Sequence, residues 1–164
     1  MVTAIYPGTF DPITNGHIDI AVRSARLFSE VVIGIFGKPE KEVLFSLEER
    51  VALAREAVKE YNNIRVESYT GLTVDFARKC SAQVLVRGLR VSGDFEFEFS
   101  MAMMNRQLDP ELEMVCLMAT PKFQFLSSSI LKEVARLNGD IGDFVPPHIA
   151  RALKEKQQKL KPQA

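Results

Sequence analysis

The chain has 164 residues, of which 46% are hydrophobic and 26% charged, a composition typical of one soluble globular domain over residues 1–164. Because 21 Lys and Arg residues balance 21 Asp and Glu residues, no overall charge attracts nucleic acid or anionic lipid, and any bound anion must be held by local clusters. The sequence has no signal-peptide pattern and no apolar run near about 18 residues, so we expect no membrane span and a cytoplasmic location, with Cys80 and Cys116 buried and reduced.

The first part of the chain alternates apolar strands with amphipathic helices. Residues 2–6 are predicted to form a short buried strand, and apolar residues at three- and four-residue spacing predict a helix over residues 16–28. Residues 30–36 are a continuous apolar, β-branched run, which is typical of a strand covered on both faces. Ser46 and Glu49 form a capping box, which predicts the start of the next helix.

The alternation continues with a strand at residues 64–69, a helix at 72–80 and strands at 83–88 and 113–119. Between the last two strands, residues 94–108 place apolar side chains at every second position, but Met, Ala and Glu favour a helix there. This helix has two apolar stripes, one of Phe95, Phe99, Ala102 and Met103 and the other of Phe97, Met101, Met104 and Leu108. A helix that is apolar on two sides buries both, so we expect one stripe to face the sheet and the other to face another subunit of a homo-oligomer.

The last third of the chain supplies two more helices. Ser127, Ser128 and Ser129 offer caps to a helix that stops near Asn138, and Pro147 begins a final helix whose Lys- and Gln-rich end is expected to fray. The whole alternation predicts an α/β domain with a doubly wound, Rossmann-like, five-stranded parallel sheet and helices on both faces. In such sheets, ligands bind at the carboxyl ends of the strands, where the strand order reverses.

The stretch YPGTFDPITNGH, residues 6–17, follows the first strand at that edge. Gly8 and Gly16 let the backbone approach a ligand closely, and the next helix offers unpaired N–H groups to a phosphate. Thr9 adds a hydroxyl group and His17 an imidazole. The stretch contains neither a dinucleotide fingerprint nor a Walker A loop, so by itself it is equally compatible with a structural crossover.

Three further loops at the same edge contain cationic or hydroxyl groups. These groups are Lys38 and Lys41 after the second strand, Arg87 and Arg90 after the fourth, and Lys122, Ser127, Ser128 and Ser129 after the fifth. Together the four loops predict a polyphosphate ligand, because guanidinium groups and helix N-termini suit phosphate oxygens. The sequence lacks a nucleophile elbow and a His-based metal motif, which favours transfer to a phosphate nucleophile over covalent or metal-dependent hydrolysis.

Several motifs match a known family. TNGH, with Thr9 eight residues before His17, is the T/HxGH signature of nucleotidylyltransferases, and SSSI resembles their second motif. With LEERVALA, VLVRGLR, DFEFE and SSSILKEVAR in the right order, the chain resembles bacterial phosphopantetheine adenylyltransferases over most of its length. The resemblance implies transfer of the adenylyl group of ATP, with Mg²⁺, to 4′-phosphopantetheine, giving dephospho-CoA and pyrophosphate in coenzyme A synthesis. It also implies a homo-oligomer, typically a hexamer, and feedback inhibition by CoA is expected because CoA shares most of its atoms with the product.

The same resemblance implies a role for each motif residue. His17 is expected to donate to the α-phosphate oxygens, and Thr9, Lys41 and Arg87 to contact the phosphate of phosphopantetheine. Thr73 falls at a further phosphopantetheine contact. The remaining residues implied to form the ATP site are Phe10, Gly88, Leu89, Arg90, Glu98, Phe123, Gln124, Phe125, Leu126, Ser127, Ser128 and Ser129. No protein side chain is implied to bind a metal, since Mg²⁺ is expected on the ATP phosphates.

Two positions depart from the family pattern, and two alternatives stay open. Thr73 stands where apolar residues are common, and Phe123 stands where Trp or Tyr is expected. One alternative is another nucleotidylyltransferase, either a cytidylyltransferase or one acting on nicotinamide mononucleotide. FLSSSIL does not resemble the RTxGxSTT-type motif of cytidylyltransferases. The other alternative is a non-catalytic nucleotide or CoA sensor, which has no need of a transition-state group such as His17.

Overall fold

The structure, a computed structural model, describes residues 1–40 and 42–160. Lys41 and residues 161–164 lie outside the described residues. The predicted fraying of the last helix falls partly on this tail. The strands are β1 (Thr3–Gly8), β2 (Glu30–Phe36), β3 (Ile64–Tyr69), β4 (Val84–Leu89) and β5 (Glu113–Met118). They form one parallel sheet in the order β3-β2-β1-β4-β5, so the strand order reverses between β1 and β4.

Helices connect successive strands and cover both faces of this sheet. They are α1 (Asn15–Leu27), α2 (Leu47–Val58), α3 (Thr73–Lys79), α4 (Ser92–Leu108), α5 (Ser128–Arg136) and α6 (Pro147–Leu160), with a 3₁₀ turn at Pro121–Phe123. Residues of α1, α2, α5 and α6 share one core with one face of the sheet, and residues of α3 share a second core with the other. The predicted doubly wound α/β fold is therefore confirmed.

Local sequence accounts for most of these elements. The five central residues of β2 are buried, as expected for a strand covered on both faces. At the start of α2, the Ser46 hydroxyl accepts from the backbone N–H of Glu49 at 3.2 Å, and the Glu49 carboxylate accepts from the Ser46 N–H at 2.7 Å. This reciprocal pair is the predicted capping box, and it sets where the connection after β2 ends.

Helix α4 is helical as predicted, but the expected packing of its stripes is wrong. Phe95, Phe97 and Phe99 are 56%, 62% and 57% exposed, so members of both apolar stripes point away from the sheet of this chain. The buried side chains of α4 are instead Glu98 and Asn105. The physical reason is that the inward face contains carboxylates that pair with Arg87 of β4 and with Arg90 in the loop after it, and apolar side chains could not satisfy these arginines.

The two cysteines differ in exposure, which corrects the prediction that both are buried. Cys80 is buried beside α3, whereas Cys116 is exposed on β5. The reason is that β5 is an edge strand whose side chains are covered incompletely within one chain. Among the described residues, no helix combines the length and apolar character needed to cross a membrane.

Candidate active site

The crossover from β1 to α1 fixes the orientation of His17. Thr14 is the N-cap of α1, and its backbone N–H lies 3.0 Å from Nδ1 of the His17 ring. Because an N–H can only donate, Nδ1 accepts this bond and the proton of the neutral imidazole resides on Nε2. The crossover therefore presents a His17 ring whose Nε2–H is a hydrogen-bond donor.

Phe10 supports the His17 ring from the side. Its own ring is buried and meets the imidazole edge to face, with centroids 5.1 Å apart and planes at 80°. The backbone of Phe10 has a φ of 48°, in the left-handed region that side chains other than glycine rarely adopt. Gly8 allows this fold-back, since a Cβ at Gly8 would lie 2.9 Å from the Phe10 ring.

Arg87, at the carboxyl end of β4, is held by two acceptors. One Nη donates to the Pro7 carbonyl at 2.7 Å, and the other lies 2.5 Å from the carboxylate of Glu98 on α4. Burial acts to lower the pKa of Arg87, but the bond and charge of Glu98 outweigh it and raise that pKa. The guanidinium is thus a fixed cation next to the crossover.

Arg90, in the loop after β4, is held in the same way by Asp94, which lies one turn before Glu98 on α4. Its Nε and one Nη pair with the two carboxylate oxygens of Asp94 at 3.1 and 3.2 Å, and the other Nη donates to the Leu126 carbonyl at 3.2 Å. Bidentate pairing of this kind constrains the plane of the guanidinium. Arg90 therefore ties the loop after β4 to the loop after β5.

The serines at the start of α5 have different partners. The Ser127 hydroxyl caps the helix by accepting from the backbone N–H of Ile130 at 3.2 Å. The Ser128 hydroxyl donates to the Pro12 carbonyl at 2.8 Å, which joins α5 to the crossover. The hydroxyl proton of Ser127 is not used by its capping bond, whereas that of Ser128 is engaged with the protein.

These groups line one cavity of about 680 Å³ at the carboxyl edge of β1 and β4. Of the residues predicted from the sequence, its walls include Thr9, Phe10, His17, Arg87, Gly88, Arg90, Glu98, Phe123, Leu126, Ser127, Ser128 and Ser129. Leu89, Gln124, Phe125 and Thr73 do not line it, and Lys41 lies outside the described residues. The Thr73 hydroxyl instead lies 3.2 Å from the hydroxyl of Tyr69.

Comparison with known proteins identifies the family. The sequence profile of the cytidylyltransferase-like family matches residues 5–134. The phosphopantetheine adenylyltransferase of Herpetosiphon aurantiacus is 50% identical over 158 residues, covering 96% of each chain. That of Thermomicrobium roseum is 51% identical over 160 residues, again covering 96% of each. The chain belongs to the phosphopantetheine adenylyltransferase family.

This result confirms the family resemblance and the enzyme class read from the sequence. A solved structure assigned to a nicotinate-nucleotide adenylyltransferase of Vibrio parahaemolyticus has a TM-score of 0.70 and covers 93% of this chain and 99% of its own. Its identity of 17% supports the shared fold only. Neither the other nucleotidylyltransferases nor the sensor is favoured, because the relatives at about 50% identity are phosphopantetheine adenylyltransferases.

The sequence did not point to several residues that line the wall of this cavity. Asp94 lies four residues after Arg90 and Lys132 four after Ser128, so helical spacing from a motif residue was an available signal for both. Asp11 had no such signal, because its partners are distant in sequence. Within residues 1–40 and 42–160, no group of three or more His, Cys, Asp or Glu side chains is arranged to hold a metal ion.

Proposed function

We propose that the protein transfers the adenylyl group of ATP to 4′-phosphopantetheine and releases dephospho-CoA and pyrophosphate. The observation that supports this most directly is the placement of His17, whose Nδ1 is engaged by the Thr14 N–H while the ring lines the cavity. A neutral imidazole held in this way offers an Nε2–H to an oxygen on which negative charge develops. Arginines at the same edge supply the positive charge that two anionic substrates require.

The transfer itself needs no covalent enzyme intermediate. A phosphate oxygen of phosphopantetheine attacks the α-phosphorus of ATP in line and forms the new P–O bond. The bond from that phosphorus to the bridging oxygen of the β-phosphate breaks, and its electron pair leaves with pyrophosphate. The nucleophile is already an anion, so no general base is needed, and ATP is proposed to bind as its Mg²⁺ complex.

Each site residue has a proposed part in this reaction. His17 donates to the α-phosphate oxygens, and Thr9 orients the attacking phosphate. Arg87 binds that phosphate with the guanidinium protons not used by Pro7 and Glu98, since a guanidinium has five N–H donors. Lys41 is proposed to bind the same phosphate, on the family resemblance alone. The resemblance likewise supports the proposal that Thr73 contacts phosphopantetheine and that the remaining residues form the ATP site.

The wider setting is also a proposal. We infer a homo-oligomer, because α4 exposes a row of Phe and Met side chains whose contact with water is unfavourable. The family resemblance supports six subunits. Binding of CoA to the same cavity is proposed to inhibit the enzyme, since CoA shares most of its atoms with dephospho-CoA. The cytoplasm is the proposed location.

The deciding experiment measures pyrophosphate release. ATP with 4′-phosphopantetheine is compared with CTP and 4′-phosphopantetheine, and with ATP and nicotinamide mononucleotide. We expect turnover only in the first mixture, and addition of EDTA should abolish it. Absence of turnover with 4′-phosphopantetheine, or faster turnover with nicotinamide mononucleotide, would overturn the assignment.

A further inference from the structure

Asp11 is a buried carboxylate that the transfer reaction does not use. Asp11 lies between Thr9 and His17 in the sequence and contributes to the wall of the cavity. Its side chain is only 2% exposed. An ionised carboxylate has acceptors but no proton to donate, so it would repel the phosphates of both substrates. The function of Asp11 therefore lies in the groups that it holds.

Asp11 accepts from three donors on two other segments. Its Oδ2 accepts from the backbone N–H of Leu44 and its Oδ1 from that of Phe45, both at 2.9 Å. The ammonium of Lys132 on α5 lies 2.5 Å from Oδ2. One carboxylate thus joins the crossover to the connection between β2 and α2 and to the helix that follows the serines.

Arg50 makes a second link between the crossover and the same connection. This guanidinium of α2 is buried, and one Nη donates to the Thr9 carbonyl at 2.8 Å and to the Phe36 carbonyl at 2.9 Å. Burial lowers the pKa of Arg50, and the nearby Asp11 carboxylate opposes that effect. The connection after β2 is therefore attached to the crossover near both of its ends.

We propose that Asp11 is a positioning residue of the transfer reaction, and that Lys132 neutralises it so that its charge does not repel the nucleotide triphosphate. The inference rests on the proposed function, because it assigns the connection after β2 to the phosphopantetheine phosphate and α5 to the triphosphate. Buried hydrogen bonds to a carboxylate are stronger than neutral ones, so three of them set the separation of these segments.

The first test needs no substrate. In Asp11→Ala, the backbone amides of Leu44 and Phe45 lose their acceptor, and we expect their hydrogen exchange to accelerate about tenfold or more. Asp11→Asn keeps the shape and one acceptor oxygen, so one of the two amides should accelerate if the alanine variant does not fold. If both amides exchange at an unchanged rate in a folded variant, Asp11 does not hold the connection after β2 and the proposal is overturned. This outcome does not depend on which substrate the enzyme uses.

The second test separates positioning from general destabilisation. Asp109→Ala is the matched control, because Asp109, like Asp11, accepts from a cationic side chain and a backbone amide, here those of Arg78 and Glu111, but at the opposite edge of the sheet. We expect Asp11→Ala to raise KM for phosphopantetheine about tenfold while kcat changes less than about threefold, and Asp109→Ala to leave both unchanged. Equal effects of the two variants would assign Asp11 to stability alone.

The third test addresses Lys132. Lys132→Met leaves the Asp11 charge unneutralised beside the nucleotide, so KM for ATP should rise about tenfold, and adding Asp11→Asn should recover at least about threefold of that loss. If the double variant is no better than Lys132→Met, Lys132 contacts the phosphates directly and the neutralising role is wrong. Amide exchange in Lys132→Met should stay slow at Leu44 and Phe45, since both acceptors remain.

Discussion

The guanidinium of Arg87 lies 2.5 Å from a carboxylate oxygen of Glu98, and this pair joins the fourth strand to the helix with the exposed apolar surface. Arg90, in the loop after that strand, forms the same kind of pair with Asp94, one turn earlier on the helix. The inner face of α4 therefore positions two arginines of the cavity wall, while its outer face is exposed. Because Glu98 and Asp94 belong to α4, any shift of this helix would also move Arg87 and Arg90.

Loss of the Glu98 carboxylate should destabilise the fold. Glu98→Ala leaves a largely buried Arg87 without its counter-charge, and we expect the free energy of unfolding to fall by about 2–4 kcal/mol. Glu133→Ala is the control, because it removes an exposed pair with Arg136 and should cause no measurable change. Urea unfolding at a fixed protein concentration measures both, and an equal loss in the two variants would contradict the buried pair.

Replacement of His17 should slow the chemical step and spare binding. His17→Ala removes the proposed donor to the α-phosphate, so kcat should fall by about 10²–10³ while ATP binding, measured by calorimetry, is retained. His148→Ala removes the other histidine, whose Nε2 lies 3.1 Å from the Leu53 carbonyl away from the cavity, and should leave kcat unchanged. A normal kcat in His17→Ala would make His17 a packing residue.

Asp94 should give a pH-dependent contribution to stability. Burial acts to raise the pKa of Asp94, but hydrogen bonds from Arg90 outweigh it, so the pKa is lower in the folded than in the unfolded state. A lowered carboxyl pKa stabilises the fold above the unfolded value of about 4, and the contribution is lost as the pH falls through the folded value. The difference in unfolding free energy between the natural chain and Asp94→Asn should shrink between pH 7 and pH 3. A constant difference would argue against the Arg90 pair.

Two glycines should respond oppositely to alanine. A Cβ at Gly34, in the middle of β2, would lie 2.4 Å from the Phe76 ring, so Gly34→Ala should cost about 1–3 kcal/mol of stability through overpacking. A Cβ at Gly93, in the first turn of α4, meets no atom within 4 Å. Gly93→Ala should therefore be neutral or stabilise by up to about 1 kcal/mol. Thermal unfolding compares the two, and a harmless Gly34→Ala would show that the Phe76 ring moves aside.

The exposed surface of α4 should determine oligomer size. Phe97→Glu places a charge where we expect another subunit, so the sedimentation mass should fall toward that of one chain. Leu27→Glu is the control, because Leu27 is 63% exposed on α1 and Phe97 is 62% exposed. A monomeric natural chain in dilute sedimentation would remove the oligomer proposal, and dissociation by Leu27→Glu alone would move the interface to α1.

The sequence by itself determined the alternation of strands and helices and which loops share one edge of the sheet. The apolar run of β2 and the capping box of Ser46 and Glu49 act over a few residues, so periodicity and cap chemistry predict them without knowledge of the fold. The strand alternation likewise placed the loops of Thr9, His17 and Arg87 at one edge. The motifs in these loops carried the family resemblance that the relatives confirm.

Only the tertiary structure decided which side chains meet across the chain. Asp11 is separated by 33 and 34 residues from the amides that it accepts from, and by 121 residues from Lys132. No local pattern encodes such a pairing, because a buried carboxylate is stable only once distant segments bring it donors. The sequence did not reveal the inward face of α4 for the same reason. Hydrophobicity predicts that a face will be buried, but whether that face meets the sheet or another chain depends on which partners the fold brings to it.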